Sequence, residues 1–65
     1  MTHFYVSVID GKKHGLLLGP YPTKEEAEGQ VERGRKLAND ADPWAHFYAF
    51  GTCWMMVERK TCFGK

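Results

Sequence analysis

The tetrapeptide Thr23-Lys24-Glu25-Glu26 has the form of a capping box, and it fixes where one helix must begin. In such a box the threonine hydroxyl accepts from the backbone N–H three residues on, while the glutamate side chain reaches back. From Lys24 the apolar residues Ala27, Val31, Ala38 and Ala41 recur at three-to-four spacing, with Gly34 and Leu37 beside them. Charged residues fill the other side. Acids lead in the first half and Arg33, Arg35 and Lys36 follow, the order a helix dipole favours. Glu32 and Lys36 form an i,i+4 pair. Asp42-Pro43 stops the run, because the residue before proline avoids the α region. The pattern predicts a helix over 24–41.

Strands are expected on either side of it. In residues 3–9, Phe4, Val6 and Val8 alternate with Tyr5, Ser7 and Ile9 in a β-branched and aromatic segment. Residues 10–15 carry turn chemistry, with Asp10-Gly11 at the head and Gly15 at the foot. Leu16-Leu17-Leu18, closed by Gly19-Pro20, reads as a short return strand buried on both faces. Trp44 to Phe50 is strand-like, and Gly51-Thr52 places glycine first in a two-residue loop, as a type II′ turn requires. Cys53 to Arg59 is then the partner strand. A single long strand with Gly51 at a bulge is the rival arrangement. Lys60 to Lys65 is a tail that pairs or stays free. The expected fold class is α+β, with an antiparallel sheet of three to four strands in ββαββ order and one helix on one face, all in one domain over 1–65.

The chain has 65 residues, and a domain of that size buries only about 60% of its unfolded surface. The helix offers mostly alanine and glycine inward, so the sheet must supply the bulk. Yet aromatics make up 14% of the chain, and Trp44, Phe47, Tyr48, Phe50 and Trp54 crowd into one short stretch. One helix covers one sheet face. The other is expected to expose aromatic side chains, and such a patch marks a contact surface. Trp44, Tyr48, Phe50 and Trp54 are the partner-binding candidates, with burial in a homodimer as one way of covering them.

Other chemistries fare worse. Two cysteines, Cys53 and Cys62, are too few for a secreted disulfide scaffold, and no leader-like segment is seen, so free thiols and a cytoplasmic location are expected. No apolar run approaches the roughly 20 residues that cross a bilayer. His3, His14 and His46 with the cysteines lack the short spacings of structural zinc sites, so no metal is expected. A nucleophile would need a base and an orienting carboxylate beside it. Cys53 or Cys62 with His46 is conceivable, but nothing in the sequence joins them, and no enzyme activity or cofactor is expected. Gly11, Gly15 and Gly19 sit within a hairpin rather than at a strand-to-helix turn, which excludes a phosphate loop. Stacking of single-stranded nucleic acid on Tyr48 and Phe50, framed by Lys12, Lys13 and Arg59, is the alternative binding mode. A net charge of +1 argues against it. The acids Glu25, Glu26, Glu28 and Glu32 read as a solvated helix face rather than a phosphate mimic.

Several segments carry a resemblance: residues 4–11, Gly15 to Tyr21, Ala41-Asp42-Pro43-Trp44, Phe47 to Thr52 and the closing Lys60 to Lys65. They resemble a group of small proteins encoded on proteobacterial plasmids, integrative elements and phages, a pool that includes anti-CRISPR inhibitors. Cys53 to Arg59 departs most from the group. The resemblance implies an accessory protein that binds and blocks a host protein or complex, a CRISPR effector being the leading case. It carries over no functional residue.

Overall fold

The computed structural model describes residues 2–64, with the side chains of His46 and Phe47 outside the description. Strand β1 (His3–Asp10) returns through Gly11 and Lys12 into β2 (Lys13–Tyr21). Gly11 takes a left-handed φ of 59°, which lets two residues reverse the chain. Lys13–Gly15, expected to be turn, therefore already pair with Val8–Asp10.

The register of β2 then slips. Ser7 faces Leu16 but Val6 faces Leu18, so Leu17 is an extra residue of the kind that makes a β-bulge. The bulge turns two consecutive leucines inward, and both Leu17 and Leu18 are buried. A second slip falls between Val6 and Phe4, whose partner is Tyr21. There Gly19 has φ 126°, and a Cβ on it would stand 2.8 Å from the Phe4 carbonyl oxygen.

The threonine half of the capping box forms: Thr23 Oγ1 accepts from the Glu26 N–H at 3.2 Å. The helix that it starts is not continuous. It breaks at Gln30 (φ −103°, ψ 0°) into α1 (Lys24–Gly29) and α2 (Val31–Ala41). Gly29, about 1 kcal/mol poorer than alanine inside a helix, lies at the weak point. Asp42 ends α2 in an extended conformation, as proline demands, and also starts the next element. Its Oδ1 accepts from the Trp44 N–H at 3.0 Å, and Pro43 pre-sets the first turn. Residues Pro43–Phe47 thus wind into a 3-10 turn, where a strand from Trp44 was expected.

The last strand, β3 (Ala49–Met55), runs straight through Gly51 and Thr52. It pairs antiparallel with β1 from Ile9↔Ala49 to His3↔Met55 without a shift. No hairpin and no bulge forms at Gly51, because one straight strand satisfies the whole free flank of β1. The sheet has three strands in the order β2-β1-β3. The α+β class holds, whereas the element order is β-β-α-α-3-10-β rather than ββαββ. No helix among the described residues is long and apolar enough to cross a membrane.

Both helices lie on the face of Phe4, Val6 and Val8. Val6, Leu17, Leu18, Ala38 and Ala45 form the core there, with Tyr48 and Phe50 packed against it. The opposite face is covered differently. After Met55 the chain crosses beneath Tyr5, whose hydroxyl accepts from the Arg59 N–H at 2.8 Å and donates to the Val57 carbonyl at 3.4 Å. The tail then reaches the outer flank of β2. There Leu16 and Leu17 carbonyls accept from Cys62 and Phe63 N–H groups, and Gly64 accepts from Gly19.

Candidate functional site

The C-terminal strap changes where exposed apolar surface can lie. Tyr5 is fully buried beneath it, so the face away from the helices is not the bare aromatic platform the sequence suggested. Parity along β3 makes the same point. Phe50, Thr52 and Trp54 pair with Val8, Val6 and Phe4, and therefore share the helix side of the sheet. The two helices touch all three strands, and the spaces they leave beside β3 are two open grooves.

The four candidate aromatics separate into two kinds. Trp44 projects from the 3-10 turn and is 69% exposed, and Trp54 near the far end of β3 is 62% exposed. Tyr48 is held inward, its hydroxyl donating to Asp42 Oδ2 at 3.0 Å. Phe50 is half-buried on the core. Tyr48 and Phe50 form a wall; Trp44 and Trp54 stand at either end of it.

One groove, about 560 Å³, runs between α1 and the end of β3 and is lined by Phe4, Lys24, Thr52, Trp54 and Met56. The other, about 610 Å³, lies between α2 and the start of β3, with Val31, Glu32, Arg35, Lys36, Tyr48 and Phe50 on its walls. Arg35 Nη2 is already paired with Glu32 Oε2 at 2.6 Å, and the first groove has Lys24 as its single charged wall.

The outer flank of β3 pairs with nothing among the described residues. An unprotected flank of this kind is a template for strand addition, and proteins usually blunt it with lysine, proline or a bulge. Here none of these devices is present in Ala49–Met55. Pro43 to Val57 contains no Asp, Glu, Lys or Arg at all. That run is the sequence signal for the surface, and it also marks Met56 and Val57, exposed by 61% and 59% and not among the expected binding residues. The contrast with β2 is direct, since the chain's own tail caps the β2 flank.

Both thiols are free. Cys53 lies on one outer strand and Cys62 beyond the other, three strand spacings or about 14 Å apart across the sheet. A disulfide needs Cα atoms within about 7 Å. Burial pushes the Cys53 thiol pKa up, only partly opposed by the Ser7 hydroxyl, which is the reverse of nucleophile activation. No three His, Cys, Asp or Glu among the described residues gather as metal ligands. His46, part of the zinc and cysteine constellations weighed from sequence, has its side chain outside the described residues.

Compared with models of known families, with curated proteins and with solved structures, the chain matches none of them.

Proposed function

We propose that this chain is a non-catalytic protein-binding module whose working surface is the uncharged stretch Pro43–Val57. Trp44 and Trp54 are its anchors, and the Tyr48–Phe50 wall holds them apart. The observation that carries the reading is the bare β3 flank with Trp54 and Met56 exposed beside a groove. Interface energy concentrates in a few large side chains that become desolvated, tryptophan foremost. Strand addition supplies main-chain hydrogen bonds, and the flanking grooves supply selectivity.

The sequence resemblance to proteins of mobile elements and phages extends the proposal to a partner. On this reading the chain acts in the cytoplasm as an accessory inhibitor of a host defence complex, a CRISPR effector being the leading candidate. The test is phage plating on a bacterium with an active CRISPR system that expresses the chain. Plaques should return with the natural sequence and fail to return with the Trp44→Ala/Trp54→Ala variant. Unchanged plating across CRISPR types would remove the inhibitor reading.

The competing reading is single-stranded nucleic-acid binding. The groove charges argue against it, since Arg35 is paired with Glu32 and Lys24 with Glu28. Binding to phosphates weakens linearly in log salt. Tight oligonucleotide binding that falls steeply with salt would favour this alternative.

A further inference from the structure

We propose that the β3 flank pairs with β3 of a second copy, antiparallel about a two-fold axis at Thr52, joining two three-stranded sheets into one of six strands. The inference rests on the protein-binding reading above and names the first occupant of that surface.

The register follows from the strand itself. A two-fold axis normal to the sheet keeps each face on its own side, so opposing residues must share parity. An axis at Thr52, the midpoint of Ala49–Met55, is the one that pairs all seven residues. Thr52 then faces its own copy, a favourable cross-strand pair. On the helix side Trp54 meets the partner copy's Phe50, twice. On the other face a larger side chain meets a small residue each time, Met55 against Ala49 and Cys53 against Gly51. Gly51 has open space around the position of a Cβ, so its lack of a side chain is not required within the monomer.

A second copy fits the strand's own chemistry: Ala49–Met55 carries no charged side chain, so two copies meet along it without like-charge repulsion. Lys24 of α1 flanks Trp54, while Glu32, Arg35 and Lys36 of α2 flank Phe50. The two-fold axis sets the α1 end of one copy beside the α2 end of the other. Trp54 also projects toward the partner copy's 610 Å³ groove, which has Phe50 and Tyr48 as its apolar wall.

The size is sufficient for a modest dimer. Seven residues at about 3.4 Å give a flank of about 24 Å. Even with Trp54 and Met56 added, such a contact is a small one beside the about 800 Å² per partner of a standard interface.

Two measurements test this together. Thr52→Cys is made in a Cys53→Ser/Cys62→Ser background, with the fold checked by circular dichroism, and exposed to oxidised glutathione. Directly opposed residues in an antiparallel pair lie about 4.5–5.5 Å apart, within disulfide reach, so a covalent dimer is expected. Ala49→Cys in the same background should not cross-link, because its copies lie about 20 Å apart along the strand. Sedimentation of the natural chain should show twice the 7.5 kDa monomer mass, and Trp54→Lys should return it to monomer. Cross-linking at Ala49 instead of Thr52, or a monomer at millimolar concentration, would overturn the proposal. A monomer that still restores plaques would leave the protein-binding reading standing. A dimer without effect on plating would do the reverse.

Discussion

Gly34 of α2 lies so close to Val6 of β1 that a Cβ on the glycine would stand 2.9 Å from Val6 Cγ1. Leu18 Cδ1 would be only 3.4 Å away. The missing side chain is what lets α2 sit down on the central strand. It is also why a helix of small residues suffices to cover it.

Gly34→Ala should therefore destabilise the fold, although alanine favours helix by about 1 kcal/mol. Val6 is fully buried and β-branched, so it cannot swing away. Overpacking of this kind costs roughly 1–3 kcal/mol, and a net loss of about 1 kcal/mol is expected by chemical denaturation. Gly29→Ala is the control. Open space surrounds its Cβ position, and the change should stabilise by about 0.5–1 kcal/mol. Equal effects at the two sites would contradict the close-approach account.

Tyr5→Phe removes the hydroxyl that ties the strap to the central strand. The Arg59 N–H loses its acceptor, and the cost should be roughly 1–2 kcal/mol. Amide exchange at Cys62 and Phe63, which donate to β2, should accelerate more than exchange in β1. Unchanged protection of these two amides would show that the tail holds without Tyr5.

The Tyr48 phenol accounts for a pH effect. Its hydrogen bond to Asp42 comes first among the causes and desolvation second, and both hold its pKa above the usual 10.0. A proton held more tightly in the folded state stabilises it fully below the unfolded pKa. That contribution fades as pH rises through the folded value. The natural chain should lose more stability above pH 10 than Tyr48→Phe does. Parallel pH profiles for the two proteins would remove Tyr48 from this role.

Local signals were the legible part of the fold. The capping box of Thr23, the alternation of β1 and the stop at Asp42 all lie within a few residues of the structure they cause. What escaped was decided at long range. Gly51-Thr52 has turn chemistry, but seven unbroken pairs with β1 outweigh one local preference. Asp42-Pro43 was legible as the end of a helix, and its second role as the cap of a 3-10 turn depends on an aspartate already extended by proline. The strap from Met56 to Gly64 has no periodicity to read. Its place is set by the Tyr5 hydroxyl, more than fifty positions away in sequence. The candidate surface was half legible for the same reason. The aromatic crowding of 44–54 was visible, whereas which rings face inward required the parity of β3.

Amide hydrogen exchange along β3 is the most direct test that this flank is the working surface. Alternate amides of Ala49–Met55 point away from β1 and should exchange fast in dilute protein. Their protection should rise with concentration in the natural chain and stay absent in Trp54→Lys, while the inward amides remain slow in both. Outward amides that exchange equally at every concentration, in the natural chain and in the variant alike, would contradict the account.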